Sequence, residues 1–204
     1  MSNVNLYIII FALIATYLLA CVSSAIVVCR AFGLADPRTA GSKNPGATNV
    51  MRLGGKLPAF LTLLGDVLKG FLPVCIVGFY FNMPFLTSLT ALVAVLGHCF
   101  PVYYRFHGGK GVATALGGIF GLYWMLGLAT GGTWLLVALL FRYSSLAALV
   151  AISMTPVFAC LLISMNAALP LVMIAVIVVY RHRANIVRLY QGTESKIGQK
   201  SKGV

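Results

Sequence analysis

The stretch VATALGGIFGLYWMLGLATGGTWLLVALLF, residues 112–141, carries no charge and decides how many times this chain crosses a membrane. As one tilted helix it would run about 45 Å, well beyond a hydrocarbon core of about 30 Å. That length, with Gly127, Gly131 and Gly132, predicts two short helices, 112–124 and 127–141, turning near residues 125–127. The rival is a single span. Further apolar segments lie near 5–29, 57–80, 85–104, 145–163 and 167–181, several of them shorter than the roughly 20 residues a spanning helix prefers. The run at 5–29 is too long for the apolar part of a signal peptide and has no basic stretch before it, so it reads as a retained helix.

The cations choose between the two counts. Arg30, Arg38, Lys43, Arg52 and Lys56 follow the first segment; Arg105 and Lys110 follow the third; Arg142 follows the fifth. Arg181, Arg183, Arg188, Lys196, Lys200 and Lys202 come at the end of the last segment and beyond it. Seven spans put all of these loops on one side, whereas six would strand Arg142 on the outer side, against the positive-inside rule. The expectation is an all-α polytopic membrane protein of one integral-membrane domain over 1–204. It has seven transmembrane helices, the N-terminus outside and the C-terminus cytoplasmic.

Composition agrees: 60% of 204 residues are hydrophobic, 9% are charged, and mean hydropathy is +0.98, which leaves no room for a separate soluble domain. Fifteen Lys and Arg stand against Asp36, Asp66 and Glu194. Positive-inside bias explains most of that excess, and the rest is available to acidic substrates. A nucleic-acid partner is not expected, because the aromatics sit in apolar runs instead of interleaving with the cations. Cys21, Cys29, Cys75, Cys99 and Cys160 are scattered singly, without metal-ligand or redox spacing, so no metal or cofactor is expected. Lys69, inside a span, sits three residues after Asp66, within reach across one helical turn. Two readings remain for that pair, an ion pair holding the bundle and a functional site at membrane depth.

Polar chemistry concentrates in blocks at helix ends, over 41–52, 97–114, 142–145 and 182–196. In the first, Gly41 and Gly46 let the backbone approach a ligand and Pro45 stiffens the turn. Ser42, Asn44, Thr48 and Asn49 supply neutral donors, and Arg52 offers a planar fork suited to phosphate. In the second, Gly108-Gly-Lys-Gly111 opens a helix, where backbone N–H groups beside Lys110 make an anion site. It is not a Walker A loop, since Tyr104 and Gly111 stand where that motif needs a glycine and a hydroxyl. His98 is a conceivable general base or a satisfied core group, and His107 is a solvated loop residue. In the third, helical spacing could set His182 and Asn185 on one face; the tail beyond also suits anionic lipid headgroups. Arg142-Tyr-Ser-Ser145 forms a smaller group.

Together these blocks resemble the bacterial acyl-phosphate-dependent glycerol-3-phosphate acyltransferases, integral inner-membrane enzymes of phospholipid synthesis. GSKNPGATN, GHCFP with GGKGVAT, and HRANIVRL with GTESK look like that family's three signature blocks, in order. The resemblance implies an acyl-phosphate donor, sn-glycerol 3-phosphate as acceptor, and lysophosphatidate with inorganic phosphate as products. It places the active site at the cytoplasmic face of the bacterial inner membrane, beside membrane lipid, with the acyl-phosphate-producing enzyme as a possible partner. By the same resemblance, Ser42, Arg52, Lys110, Ser145, His182 and Asn185 serve the phosphate and glycerol groups; the donor chemistry of the first block adds Asn44, Thr48 and Asn49 as expected contacts to the acceptor. Gly108, Gly109, Lys110 and Gly111 serve the acyl-phosphate. Ser42, Arg52 and Lys110 are the expected catalytic residues, and His98 is positional. Lys43 departs from the family, which usually has glycine after the serine.

The residues are compatible with that chemistry. Acyl transfer to a hydroxyl needs a proton acceptor and a stabilised oxyanion. With only Asp36, Asp66 and Glu194 as carboxylates, no Ser-His-Asp constellation is expected. An activated donor needs no acyl-enzyme, and the mechanism proposed for the family lets the acceptor's own phosphate take the proton. The rival class is a carrier for organic phosphate, which would place its binding groups near the midplane instead of at one edge. A regulatory subunit with an anion sensor has no positive support.

Overall fold

The computed structural model describes residues 3–198, with side chains from Asn5 onward. Among these residues the chain is helical throughout, without a strand. The helices are α1 (Asn3–Ala20), α2 (Ser24–Ala31), α3 (Ala47–Gly54), α4 (Lys56–Phe81), α5 (Pro84–Cys99), α6 (Val112–Leu122), α7 (Trp124–Phe141), α8 (Ser144–Leu162), α9 (Met165–Arg181) and α10 (Arg183–Tyr190), with a 3-10 turn at Val102–Tyr104.

The 112–141 stretch is two helices, as its length requires, but the break falls earlier than expected. Tyr123 is extended, at φ −161 and ψ 121, and separates α6 from α7. Gly127 lies inside α7, where a Cβ would stand 2.4 Å from the Phe120 ring. The glycine that seemed to mark the turn is instead the notch that lets α7 fold back over Phe120 of α6.

Among the described residues four stretches are long and apolar enough to cross a membrane: Lys56–Phe81, Pro84–Tyr104, Trp124–Phe141 and Ser144–Leu162. Up to six result if each bent pair counts as one span, Asn5–Ala20 with Ser24–Ala31 (41°) and Met165–Arg181 with Arg183–Tyr190 (61°). The α6 helix has 11 residues, about 16 Å, or half a hydrocarbon core.

The first run is therefore not one straight helix. It breaks after Ala20, where the Ser23 hydroxyl accepts from the Ile26 N–H and caps α2. A helix broken among apolar neighbours leaves carbonyls without partners, a costly state away from water. Lys69 answers this by donating to the Val22 carbonyl at 2.9 Å while pairing with Asp66 at 2.9 Å.

The main core joins small and medium side chains of six helices, among them Val74, Ala91, Val95, Ala115, Ile119, Leu126, Ile152 and Leu171. Packing of α4 on α6 is close enough that a Cβ at Gly70 would stand 2.1 Å from the Thr114 carbonyl. The reverse holds too, with a Cβ at Gly117 standing 2.1 Å from the Val67 carbonyl. Small residues at helix contacts and large ones outside, such as exposed Phe79, Leu139 and Leu161, are the pattern of a protein solvated by lipid. Its result is a bundle whose loops 33–46 and 100–111 and residues 181–198 meet at one end.

Candidate active site

The first polar block is organised by Asn49. This side chain is 1% exposed; its amide donates to the carbonyls of Pro37 (2.9 Å) and Ala40 (3.0 Å), and its oxygen accepts from the Ser42 N–H (2.8 Å). The structure thus puts Asn49 to a different use from the expected substrate contact: it shapes the loop that presents Ser42. Gly41 has φ +61, and a Cβ there would stand 2.2 Å from Asn49 Oδ1, so the loop closes on its own amide only with glycine. Lys43 also has positive φ, 56°, in the left-handed region that favours glycine. Arg38 forks onto Asp36 and holds its carboxyl below the usual range. The same guanidinium stacks over the Tyr104 ring at 5.5 Å, joining the first block to the second. Ser42 and Thr48 are exposed, and Asn44 is half-buried.

The glycine loop is where all three blocks meet. A Cβ on Gly109 would stand 2.1 Å from His98 Nε2 and 3.0 Å from the Pro45 carbonyl. From α9, Arg181 donates to the Gly109 carbonyl at 2.9 Å and to the Gly108 carbonyl. His98 is buried, its Nδ1 3.5 Å from Asp66 Oδ1. The Asp66–Lys69 pair and His98, separate features in the sequence, form one buried cluster under the loop. Gly111, at φ +86, turns the chain into α6. His107 is exposed, with its ring facing the Arg105 carbonyl, as a solvated loop residue should be.

Beside the loop lies a cluster of cations and donors. Lys110 donates to Asn185 Oδ1 at 2.5 Å, and Asn185 donates to Glu194 Oε1 at 2.7 Å. Ser145 donates to the same oxygen at 2.7 Å, while Arg188 donates to Glu194 Oε2 at 2.7 Å. Arg52 reaches the group through Ser195 Oγ at 3.0 Å. The segment is tied down further where the Ile197 N–H donates to the Arg142 carbonyl at 2.7 Å. Ser145, His182 and Asn185 are all buried. His182 stands at the bend between α9 and α10, its Nδ1 2.8 Å from the Val178 carbonyl; a carbonyl only accepts, so Nδ1 carries the proton.

The structure brings a carboxylate to a serine that is distant in the sequence. Glu194 is the hub of the cluster, brought to Ser145 by the chain turning back after α10. Sequence reasoning also left Arg181 and Arg188 among the loop cations. Arg188 was signalled only by its position in the third block, and Arg181 only by standing one residue before it.

Electrostatics follow from this crowding. Burial draws the Lys110 ammonium down to about 8 against the pull of Glu194. Burial likewise draws His182 down to about 4, with Lys110 adding to it. Burial pushes the Glu194 carboxyl up, but hydrogen bonds from Ser145, Asn185 and Arg188 outweigh it and hold the group below its ordinary value. Neither the imidazole nor the carboxylate is a strong base.

Comparison with known proteins agrees with this arrangement. A family model described as glycerol-3-phosphate acyltransferase matches residues 10–192. The glycerol-3-phosphate acyltransferase of Francisella tularensis subsp. novicida (strain U112) is 49% identical over 202 residues, 99% of this chain and 97% of the relative. That of Legionella pneumophila subsp. pneumophila (strain Philadelphia 1) is 48% identical over 189 residues, 92% of this chain and 68% of the relative. The crystal structure of PlsY (YgiH), an integral membrane glycerol 3-phosphate acyltransferase, in its glycerol 3-phosphate form matches with TM-score 0.89 and 38% identity. That match covers 93% of this chain and 96% of PlsY. The lysophosphatidic acid form gives TM-score 0.86 and 36% identity over 93% and 95% of the two chains. The helices of the described residues around one donor-rich end, three ordered polar blocks and near full-length similarity lead to one conclusion: the chain belongs to the glycerol-3-phosphate acyltransferase family, multi-pass membrane enzymes of phospholipid synthesis.

Proposed function

We propose that this enzyme transfers an acyl group from an acyl-phosphate to the 1-hydroxyl of sn-glycerol 3-phosphate, and that the acceptor's own phosphate removes the hydroxyl proton. The observation that carries the reading is a site rich in cations and donors whose own bases are disarmed. His182 is drawn down to about 4 by burial, and Glu194 is held low by three donors. A phosphate monoester titrates near pH 6, about two units above His182, so its dianion is the better proton acceptor.

In the transfer, the hydroxyl oxygen bonds to the acyl carbon, the bond from that carbon to the phosphate oxygen breaks, and inorganic phosphate leaves. Lysophosphatidate is the other product. The donor is already activated, so catalysis rests on positioning and charge stabilisation, without an acyl-enzyme. The 108–111 loop cradles the acyl-phosphate. Lys110, Arg52 and Ser42 hold the phosphates, and Ser145, His182 and Asn185, with Asn44 and Thr48, orient the acceptor. Asn49 contributes by shaping the loop, and His98 by supporting Gly109. PlsY structures in glycerol 3-phosphate and lysophosphatidic acid forms support this acceptor and product.

In the same reading seven helices span the membrane, α6 being the short one, with the N-terminus outside and the polar end at the cytoplasmic face of the bacterial inner membrane. The acyl-phosphate-producing enzyme would deliver the donor there.

The test is a comparison of folded variants at saturating substrate. His98→Gln keeps hydrogen bonding but takes up no proton at neutral pH, and it should retain measurable activity. Lys110→Ala and Arg52→Ala each delete a charge-assisted contact of about 1.5–3 kcal/mol, roughly ten- to a hundredfold in rate. A dead His98→Gln beside a mildly impaired Lys110→Ala would make His98 the general base and overturn the mechanism.

A further inference from the structure

Arg181 entered the sequence reading only as one of the cations past the last segment, yet its guanidinium is spent on the protein. Nε donates to the Gly109 carbonyl at 2.9 Å and Nη2 to the Gly108 carbonyl, while the plane lies over the Phe100 ring at 5.5 Å. In a trans peptide the carbonyl and the following N–H point to opposite sides. Holding two successive carbonyls therefore turns the N–H groups of Gly109 and Lys110 away from Arg181. The first of these donates to the His98 carbonyl at 3.2 Å, so that peptide unit is fixed at both ends. Below it the His98 ring fills the space a Cβ at residue 109 would need, and Asp66 and Lys69 of α4 stand behind the ring.

We infer that Arg181 is a positioning residue: its two-pronged grip on the Gly108 and Gly109 carbonyls, with His98 as floor, locks the glycine loop in the shape that receives the acyl-phosphate. This rests on the proposal that the 108–111 loop serves the donor. A planar fork is what the task needs, because a lysine offers one charged point and cannot hold two carbonyls in fixed relation.

The experiment separates grip from charge. Arg181→Lys and Arg181→Gln are purified, checked for folding by elution and melting, and assayed for kcat and for KM of both substrates. The expected result is a rise in acyl-phosphate KM of about tenfold in both variants, the size of a lost charge-assisted contact. The lysine variant should fare no better than the glutamine one, and glycerol 3-phosphate KM should stay within about twofold in both. If Arg181→Lys keeps the wild-type KM while Arg181→Gln loses it, Arg181 acts as a charge on the substrate and the inference is overturned. Unchanged KM values in both variants overturn it equally. A rise in glycerol 3-phosphate KM alone leaves the grip standing and moves the loop to the other substrate, which defeats the donor assignment instead.

Should the Arg181 variants fail to fold, Gly109→Ala disturbs the same loop from within. It should raise acyl-phosphate KM, and His98→Ala in the same chain, by making room, should bring it back toward wild type. Absence of that recovery contradicts the floor.

Discussion

Lys110 donates to Asn185 Oδ1 at 2.5 Å, which ties the cation of the glycine loop to α10 and, through Asn185, to Glu194. One short chain of hydrogen bonds thus joins the second polar block to the third. Asn185→Ala releases Lys110 and deprives Glu194 of a donor in a buried setting. The expected loss in kcat/KM is about ten- to a hundredfold, matching about 1.5–3 kcal/mol for a bond to a charged group. Steady-state kinetics on folded variant protein measures it.

Titration of Lys110 predicts an alkaline limit. With the ammonium drawn down to about 8, half the free enzyme lacks this charge near pH 8, and kcat/KM, which reports the free enzyme, should fall above it. The sign is that of a required cation: full activity below the pKa, loss above. Lys110→Arg keeps its charge at any accessible pH, so whatever activity it retains should show no such limb. A pH–rate profile from 6 to about 10 checks both, and a flat wild-type profile contradicts the role of Lys110 as a phosphate cation.

The backbone at Lys43 makes a prediction about tolerance. Its φ of 56° places an L-residue in the left-handed region, which costs about 1–2 kcal/mol. Lys43→Gly should keep activity within about twofold and leave the melting temperature equal or raised, whereas the β-branched Lys43→Val should lower it. Equal melting of all three chains would show that this turn is not strained.

How much of this could be read beforehand depends on distance along the chain. Local features were legible: the glycine loop opening α6, the polar block before α4, the division of 112–141, and the gathering of Lys110, Ser145 and Asn185 that the resemblance implied. Helix breaks were legible only where a residue signals them. Ser23 is a cap that could have been noticed, but the break is completed by Lys69 donating to Val22, a contact 47 positions away. Tyr123 breaks the helix with no proline or charge, and Gly127 drew attention because its packing role against Phe120 is invisible in one dimension. Glu194 could not be recognised as a hub, since its partner Ser145 lies 49 positions earlier. Asn49 was read as a ligand because an amide's composition says nothing about whether its hydrogen bonds are already used.

The proposed membrane orientation rests on the cations and is open to chemical labelling. In a chain with the native cysteines replaced, a cysteine at Lys43 or Lys196 should resist a membrane-impermeant thiol reagent in intact cells. One at Asn3 should react. Labelling of position 43 from outside would reverse the proposed topology.

The central claim, acyl transfer from an acyl-phosphate to glycerol 3-phosphate, is tested most directly by donor choice. Purified enzyme is given glycerol 3-phosphate with acyl-phosphate, acyl-CoA or acyl-carrier protein under matched conditions, and lysophosphatidate and inorganic phosphate are measured together. The account predicts equal amounts of both products from acyl-phosphate and little or no product from the other two donors. Comparable turnover with acyl-CoA, or lysophosphatidate formed without matching phosphate release, would contradict it.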